Sequence, residues 1–543
     1  MFRFRSSSQF RCRISASGFL RLHLKTVVPL FFTTLVLLVL SENVDESSSK
    51  RETSRVSRVS RLSHHPVVIV ISFDGFRYNY FQRAETPNMD ILRDTGAHVH
   101  YMRNQFVTKT FPNHMSIATG LHVESHGVVD NMLYDPKYER VLDFRNPEFW
   151  NFDNRTVPLW TLNEMAGNGR RSGVMMWPGS PFPYGENETL PFRALPWNES
   201  YPFETRIDIA IDWITDQNEP INLLYLYFEE PDEVAHAFGP ESNEVTKYIQ
   251  IVDNTTGYLI NRLKFFGIYD HINVILLSDH GFQQVKPQKM INYTSALTPN
   301  TYRAFGGTPV MHILPKPNWT DEVYSQLLNF SRNRNFTVYK KEELEPSWFY
   351  SNNRRTMPIV IVADLGFVFD DFQKNIEYYS KKFNFTPSQD RVYGTHGYDN
   401  RQLPMHPFFI AHGPAFRKGY LGDVFDNVDV YPLICKIVGL RPAPNNGTLK
   451  NVSQLLKRKG FAMGSPVGWA MGAAVIIGIT LILGIMSALV SRRHNRRREV
   501  LSDMSSIREF AEIGTSEGKS SKSFPVNTEE CQALLLSSST EEL

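Results

Sequence analysis

Four short clusters of acidic residues and histidines carry side chains that divalent metal ions bind. The clusters are Asp74 in Ser72-Phe-Asp-Gly75, Asp232 and His236 in Glu230-Pro-Asp-Glu-Val-Ala-His236, Asp279 and His280 in Ser278-Asp-His-Gly281, and His396 in Gly394-Thr-His-Gly397. Buried carboxylates without a counter-charge are costly, and divalent metals are their natural partners. Carboxylate and imidazole ligands together favour zinc over magnesium or calcium, although manganese and iron accept the same ligand types. The clusters therefore predict a metal site.

The spacing within each cluster suits a metal site, but each cluster also has an ordinary structural explanation. Asp232 and His236 are four residues apart, which places two side chains on one face of a helix; they also fit an acidic helix N-terminus with a surface histidine. Asp279 and His280 follow a predicted buried strand, where the next glycine permits the turn that adjacent ligands need; a strand-end N-cap is the alternative. His396 fits a metal ligand or an ordinary loop residue. Only the combination favours metal binding.

Thr110, in Lys109-Thr-Phe-Pro-Asn-His114, is the candidate nucleophile. Proline is compatible only with the first turn of a helix, so Pro112 places Thr110 at or just before a helix start. A threonine hydroxyl is inert without activation, but a nearby cation and the helix dipole would both favour its alkoxide. An ordinary threonine N-cap is the alternative. Asn131 could donate a hydrogen bond to a phosphoryl oxygen or be a turn residue. With two metal ions, this set predicts phosphoryl transfer.

The elements that must position these residues form one long α/β stretch, from about residue 65 to 455. Apolar runs rich in β-branched residues lie at Val67–Phe73, Ile221–Phe228, Asn273–Leu277, Met357–Ala363 and Pro407–Ala411. They are too short for helices and too continuously apolar for half-exposed strands, which predicts strands of a sheet covered on both faces. Amphipathic helices are predicted at 205–216 and 244–266. In a mostly parallel α/β sheet the carboxyl ends of the strands converge on the ligand crevice, so the separate clusters would meet there.

Hydrophobic segments near both ends predict a membrane-anchored protein. Val27–Leu40 is an uncharged run of 14 residues after a basic start, which is short for a bilayer span. Residues 1–40 are therefore predicted to be a signal peptide or, alternatively, an uncleaved signal-anchor, and residues 41–64 a disordered linker. Val467–Val490 has 24 uncharged residues and is followed by the basic segment Arg492–Arg498. This predicts a transmembrane helix, 467–490, with its C-terminal side in the cytosol.

Eleven Asn-x-Ser/Thr sequons support this topology. They lie at Asn154, Asn187, Asn198, Asn254, Asn292, Asn318, Asn329, Asn335, Asn384, Asn446 and Asn451. The tail after the span has none, which places residues 42–466 outside the cytosol and predicts N-linked glycans there. Residues 456–466 are then a juxtamembrane linker, and the Ser- and Glu-rich tail, 491–543, is predicted to be disordered. Within the tail, Glu530 to Leu535 matches an acidic-dileucine sorting signal or arises by chance.

Composition excludes some kinds of partner. The net charge is only +2 and the basic excess lies in two terminal segments, so no nucleic-acid partner is expected. Of the three cysteines, Cys435 alone lies between the hydrophobic segments, so no intramolecular disulfide can form there. It is predicted to be a buried apolar side chain rather than a reactive thiol. The sequence carries no signal for a particular oligomeric state.

The ordered motifs resemble the ectonucleotide pyrophosphatase/phosphodiesterase family of the alkaline phosphatase superfamily over residues 66–455. The matching motifs are Ser72–Arg77, Thr108–His114, Thr119–Gly127, Trp177–Gly179, Glu230–His236, Ser278–Gly281, His396–Asn400 with Met405–Pro407, and Ala411–Phe416. The resemblance implies an alkaline-phosphatase-like helix–sheet–helix sandwich and a phosphoryl contact from Asn131. It also implies two zinc ions, one held by Asp232, His236 and His396, the other by Asp74, Asp279, His280 and the nucleophile Thr110. The chain looks most like the short type with a C-terminal anchor.

The function so implied is that of an extracellular, zinc-dependent hydrolase that cleaves pyrophosphate or phosphodiester bonds of nucleotides through a phosphothreonine intermediate. Phe111, with Tyr134 or Trp177, could stack a base. Departures from the family pattern at Ala235 and Phe282 lie outside the ligand set and concern substrate preference. The alternative is an adhesion or receptor ectodomain that keeps the fold without turnover, which the complete ligand set disfavours. A sulfatase is disfavoured because its Cys/Ser-x-Pro-x-Arg pattern is absent.

Overall fold

The computed structural model describes residues 62–457 and 466–513. The chain divides into two compact units, Met1–Lys457 and Arg458–Leu543, which are described separately. The predicted signal segment 1–40, most of the linker 41–64, most of the linker 456–466 and the tail beyond 513, with its dileucine match, lie outside the described residues.

The strands, in chain order, are β1 (Val67–Phe73), β2 (Ala97–Val99), β3 (Leu133–Asp135), β4 (Arg140–Leu142), β5 (Ser172–Met175), β6 (Arg193–Leu195), β7 (Leu223–Phe228), β8 (Ile272–Leu277), β9 (Gln283–Val285), β10 (Met290–Ile291), β11 (Tyr302–Gly307), β12 (Val310–Pro315), β13 (Phe336–Lys340), β14 (Ile359–Ala363), β15 (Val368–Phe369), β16 (Tyr393–Thr395), β17 (Phe409–His412) and β18 (Tyr420–Gly422).

The helices are α1 (Pro87–Thr95), α2 (Thr110–Thr119), α3 (Val123–His126), α4 (Pro147–Trp150), α5 (Leu159–Met165), α6 (Phe203–Ile214), α7 (Asp232–Phe238), α8 (Asn243–Phe265), α9 (Thr320–Ser331), α10 (Phe372–Lys382), α11 (Val430–Val438), α12 (Leu449–Val452) and α13 (Pro466–Ile513). Short 3-10 turns lie at Tyr80–Gln82, Tyr269–His271, Pro287–Lys289, Tyr293–Ala296, Lys341–Glu343, Pro346–Trp348, Leu403–Met405, Asn427–Asp429 and Ser453–Leu455.

A central eight-stranded sheet organises the first unit, in the order β18-β2-β17-β8-β1-β7-β5-β6. Strand β1 lies between β7 and β8 and is parallel to both. All seven of its residues are buried, because helices and loops cover both faces of the sheet. Only β17 runs antiparallel to its neighbours in this sheet. The structure therefore confirms the predicted α/β fold with a mostly parallel central sheet.

The apolar run Met357–Ala363 does not join the central sheet as expected. Its strand, β14, lies in a separate antiparallel sheet with the order β11-β12-β14-β13. The run is apolar throughout because its alternating residues face two cores: Val360 and Val362 pack into the main core, whereas Ile359 and Ile361 pack into a smaller one. Continuous burial therefore identified a strand but could not identify its sheet.

Four of the candidate ligands follow the carboxyl ends of three adjacent central strands, β1, β7 and β8: Asp74, Asp232, Asp279 and His280. Gly75 makes the turn after β1 with φ of +67°, and a Cβ there would lie 2.8 Å from the Phe282 ring. Only glycine fits that position without displacing the turn. The sheet thus gathers segments that are more than 200 residues apart in sequence at one edge.

The second unit contains the long helix α13, whose stretch Gly472–Ser505 is long and apolar enough to cross a membrane. This is consistent with a single-pass membrane anchor. The helix continues to Ile513, so residues 491–513 are helical, not disordered as predicted. Lengthening an existing helix needs no new nucleation, and the 491–513 segment contains no glycine or proline before Gly514.

Candidate active site

The structure brings all seven predicted nucleophile and ligand residues together in one buried site. One group of possible metal ligands is Asp232, His280 and His396, and another is Asp74, Asp279 and His280; within each group the ligand atoms lie within 4.8 Å of one another. His236 and Thr110 lie directly against these groups. Segments from β1, α2, α7, β8 and the loop after β16 supply them.

Asp232, His236 and His396 form one side of the cluster. His236 Nε2 lies 3.4 Å from Asp232 Oδ2, because the helical four-residue interval of α7 places both side chains on one face. His396 Nε2 lies 3.5 Å from Asp232 Oδ1 and 3.2 Å from His236 Nε2. These three side chains therefore converge on a single point, as the ligands of one ion must.

Asp74, Asp279 and His280 form the other side. His280 Nε2 lies 3.1 Å from Asp279 Oδ2 and 3.3 Å from Asp74 Oδ1. The Thr110 hydroxyl lies 3.3 Å from the same nitrogen. The rings of His280 and His396 stack with centroids 3.5 Å apart, which joins the two sides.

Backbone carbonyls fix the orientation of the three imidazoles. The Nδ1 atoms of His236, His280 and His396 lie 3.0, 3.0 and 2.9 Å from the carbonyl oxygens of Gly394, Gly281 and Thr108. A carbonyl oxygen only accepts, so each Nδ1 carries the hydrogen and each Nε2 faces the cluster with a lone pair. This is the arrangement that metal-binding histidines show in proteins.

The carboxylates of the cluster are crowded and incompletely hydrogen-bonded. Asp74 Oδ1, Asp232 Oδ1 and Asp279 Oδ2 are buried without a hydrogen-bond partner among the described residues. Burial, reinforced by neighbouring carboxylates, raises the pKa of Asp74 and of Asp232 well above the usual value. A cation bound between them would relieve this cost. The donor set therefore fits divalent metal ions.

Burial also keeps the imidazoles neutral, which metal binding requires. It lowers the pKa of His236 to about 3 and lowers the pKa of His280. Burial and the neighbouring His280 lower the pKa of His396 as well. The close contacts between these imidazoles and carboxylates are therefore not ion pairs.

Thr110 is the first residue of α2, and Lys109 before it is extended with φ of −119°, as the sequence predicts. His114, one turn further along, holds this turn in place. Its Nδ1–H donates to the Thr110 carbonyl over 2.7 Å, and its Nε2 contacts the Ser72 hydroxyl over 2.9 Å. The nucleophile loop is thereby tied to the end of β1.

Asn131 lies beside the nucleophile. Its Oδ1 accepts a hydrogen bond from the Phe111 backbone N–H over 3.0 Å. Asp130 accepts from the Asn131 N–H and forms a buried ion pair with Lys109, with Nζ 2.7 Å from Oδ2. This pair was not predictable from the sequence, since two residues 21 apart share no periodic signal.

Two further partners of the ligands were also missed. The Tyr227 hydroxyl donates to Asp74 Oδ2 over 2.6 Å, and the Tyr379 ring stacks on the His236 ring with centroids 4.9 Å apart. Tyr227 lies within the apolar run of β7, so its sequence context predicts only an ordinary core residue. Both contacts restrict the orientation of a candidate ligand side chain.

Two cavities open on the cluster. The first, which we call the aromatic cavity, has a volume of about 580 Å³. Its wall includes Asp74, Thr110, Phe111, Phe144, Trp150, Trp177, Phe182, Trp197 and Tyr227. Trp177, one of the two candidates for base stacking, lines this cavity. Tyr134 does not, because its ring stacks on Phe305 with centroids 4.6 Å apart.

The second cavity, of about 840 Å³, opens on the other side of the cluster. Its wall includes Lys109, Asp130, His236, His396, Asp370, Asp371 and Lys374. Asn131, Tyr378 and Tyr379 line both cavities. The candidate metal ligands therefore lie between the aromatic cavity and a second cavity whose wall carries several charged side chains.

Comparison with known proteins shows what the chain is similar to. A family model described as type I phosphodiesterase/nucleotide pyrophosphatase matches residues 68–399. The chain is similar to human bis(5'-adenosyl)-triphosphatase ENPP4, with 38% identity over 441 residues, covering 80% of this chain and 91% of the relative. It is also similar to human ectonucleotide pyrophosphatase/phosphodiesterase family member 5, with 38% identity over 391 residues, covering 72% and 78%.

Solved structures give the same likeness. The murine family member 5, in an inactive threonine-to-alanine variant bound to AMP, superposes with a TM-score of 0.65 at 38% identity and covers 73% of this chain and 100% of that one. The human family member 5 gives a TM-score of 0.65 at 37% identity and covers 72% of this chain and 100% of that one.

Proposed function

Because the chain belongs to the type I phosphodiesterase/nucleotide pyrophosphatase family and is therefore a nucleotide pyrophosphatase/phosphodiesterase, we propose that it is a zinc-dependent hydrolase that works through a phosphothreonine intermediate. One observation carries this proposal. The Thr110 hydroxyl lies 3.3 Å from His280 Nε2, at the edge of a cluster in which three carboxylates each have one buried oxygen without a hydrogen-bond partner among residues 62–457.

Two zinc ions are proposed as the cofactors. Asp232, His236 and His396 would hold one, and Asp74, Asp279, His280 and Thr110 the other. When bound, the ions would supply Lewis acids that favour the threonine alkoxide and offset charge on the phosphoryl oxygens.

Thr110 Oγ forms a bond to phosphorus in the first step, while the bond to the leaving oxygen breaks on the opposite side. The position of Thr110 at the N-terminus of α2 favours the negative charge that this oxygen carries. Asn131 is proposed to bind the phosphoryl group: its Oδ1 is held by the Phe111 N–H, which leaves its NH₂ group to donate. In the second step water displaces Thr110 from phosphorus and restores the hydroxyl.

The aromatic cavity is proposed to bind the nucleotide base and sugar. Phe111 directly follows the nucleophile, and its ring packs edge-on against Trp150 with centroids 5.2 Å apart. Aromatic side chains of this kind can stack on any nucleobase, because every base presents a flat π face. An AMP complex of murine family member 5 and the name of human ENPP4 support adenine nucleotides as the substrate class.

We further propose that residues 65–455 form a catalytic domain outside the cytosol, anchored by the 467–490 segment in type I orientation. All eleven sequon asparagines are exposed on the described surface, which supports their use as N-glycosylation sites. The adhesion or receptor alternative has no observation in its favour, since the ligand cluster is complete.

Replacing Thr110 tests the mechanism. The full-length Thr110→Ala protein is expected to lose turnover of p-nitrophenyl thymidine 5'-monophosphate while keeping most of its zinc, measured by plasma mass spectrometry. Thr119→Ala, on the same helix and outside the cavity walls, is the control. Wild-type-like turnover by Thr110→Ala would remove this residue from the mechanism.

A further inference from the structure

The proposed nucleophile borders only one of the two cavities. Thr110 lines the aromatic cavity and is absent from the wall of the second one, whereas His236 and His396 line only the second. In an in-line displacement the leaving group lies on the opposite side of phosphorus from the attacking oxygen. A substrate whose nucleotide occupies the aromatic cavity must therefore extend its leaving group into the second cavity.

Helix α10 forms one wall of that second cavity. It contributes Lys374, Asn375, Tyr378 and Tyr379. The helix is held at both ends: Phe372 packs into a small apolar cluster, and Lys382 binds Glu233 of α7 with Nζ 2.6 Å from Oε2. Its side chains are thus presented to the cavity by a fixed element, which favours a defined binding site over a passive surface.

The two lysines of the second cavity differ in availability. Lys109 Nζ is already bound by both oxygens of Asp130 and by the Gly307 carbonyl. Lys374 is exposed, and among residues 62–457 its side chain makes no ion pair or hydrogen bond. Lys374 is therefore the cation in this wall that is free to bind an anion.

The other unpaired charged groups in the wall of the second cavity are carboxylates, which oppose the binding of an anion. Asp370 and Asp371 lie in the same wall, where they accept hydrogen bonds from the Thr294 hydroxyl over 3.2 Å and from the Thr308 N–H over 2.8 Å. Their carboxylates repel a phosphate group. Among the described side chains of this wall, Lys374 is therefore the unpaired positive charge that offsets these two carboxylates.

We propose that Lys374 binds the phosphate of the leaving group, so that α10 makes the chain selective for substrates that release a nucleoside phosphate. This inference rests on the proposed function. The cavity volume of about 840 Å³ is within the range that holds a ligand of this size. Tyr378, which is 56% exposed and lines both cavities, offers a ring face to the base of such a leaving group.

Two substrates with different leaving groups test this selectivity on the full-length protein. Diadenosine triphosphate releases ADP, whereas p-nitrophenyl thymidine 5'-monophosphate releases a phenol without phosphate. Lys374→Ala is expected to lower the ratio of kcat/KM for the first substrate to that for the second by about tenfold, the loss of one charge-assisted contact. Lys374→Arg should restore most of the ratio. Lys381→Ala, two turns along the same helix and outside the cavity wall, should leave it unchanged.

An unchanged ratio in Lys374→Ala would overturn the proposal, whether both values fall together or neither falls. A general loss of folding or of metal would lower both values and leave the ratio alone. Failure of the wild-type protein to cleave either substrate would instead refute the proposed function itself, and the leaving-group site with it.

Discussion

Replacing Tyr227 by phenylalanine is expected to weaken metal binding while leaving all of the ligands in place. The Tyr227 hydroxyl donates to Asp74 Oδ2 over 2.6 Å inside the buried cluster. A hydrogen bond to a charged group contributes about 1.5–3 kcal/mol. Since each factor of ten in an equilibrium constant corresponds to about 1.4 kcal/mol, we expect zinc affinity to fall by about 10- to 100-fold, as for other partners of metal ligands.

The same hydrogen bond predicts how this loss depends on pH. Burial raises the pKa of Asp74, and the hydrogen bond from Tyr227 lowers it, so the bond partly offsets burial. Without the hydroxyl the pKa of Asp74 rises further, and zinc must displace a proton over a wider pH range. The deficit of Tyr227→Phe relative to wild type should therefore grow as pH falls below neutral.

Competition for zinc against a chromogenic chelator of known affinity measures this effect, at neutral pH and one unit lower. Tyr225→Phe is a matched control, since Tyr225 lies on the same strand and its buried hydroxyl has no hydrogen-bond partner among the described residues. A zinc affinity of Tyr227→Phe within twofold of that of Tyr225→Phe would refute the reasoning.

Three further predictions concern groups around the site. Lys109→Met leaves Asp130, only 3% exposed, without its counter-charge and should lower the free energy of unfolding by about 3–5 kcal/mol. The double variant Lys109→Met/Asp130→Leu should recover most of the loss in thermal midpoint. A double variant no more stable than Lys109→Met would contradict this prediction. Burial alone would raise the pKa of Asp135, but hydrogen bonds from two arginines, including Arg355, bring it down to about 2. Because this pKa lies below the ordinary one of about 3.9, the stabilisation of the folded protein is present above about pH 4 and is lost as pH falls towards 2. The difference in thermal midpoint between wild type and Arg355→Met should therefore shrink on acidification. A constant difference would argue against the pairing of Asp135 with Arg355. Burial raises the pKa of the Cys435 thiol to about 12, so iodoacetamide should label Cys435 only after the protein unfolds. Mass spectrometry measures this labelling, and labelling of Cys435 in the folded protein would disprove its burial.

The sequence was sufficient to predict that three of the acidic clusters meet, because the sheet imposes a simple rule, whereas the places of His396 and Thr110 in the site were implied by the family resemblance. Asp74, Asp232 and Asp279 each follow a buried strand, and the carboxyl ends of parallel strands share one edge. The four-residue spacing of Asp232 and His236 likewise predicted that both side chains lie on one face of a helix. These inferences used only periodicity and chain direction, which are local properties of the sequence.

Features that depend on contacts between distant segments were not predictable in this way. The Lys109–Asp130 pair and the Tyr227–Asp74 hydrogen bond join residues whose partners only the folded chain reveals. Tyr134 was one of two candidates for base stacking, but its ring packs against Phe305 of the antiparallel sheet that contains β14. That sheet itself was missed, since the run of β14 is equally apolar in either sheet.

The length of α13 shows a different limit of sequence patterns. The polar composition of residues 491–513 suggested disorder, yet the helix extends to Ile513. Composition measures whether a segment can bury apolar surface by itself, whereas a helix already formed over the preceding apolar residues removes the nucleation cost.

Metal content and turnover, measured on one preparation of the full-length protein during titration with a chelator, test whether hydrolysis depends on a pair of bound zinc ions. We expect two zinc ions per chain, loss of p-nitrophenyl thymidine 5'-monophosphate turnover as zinc is withdrawn, and recovery of turnover when zinc is restored. Undiminished turnover by protein stripped of metal would contradict the zinc-dependent mechanism.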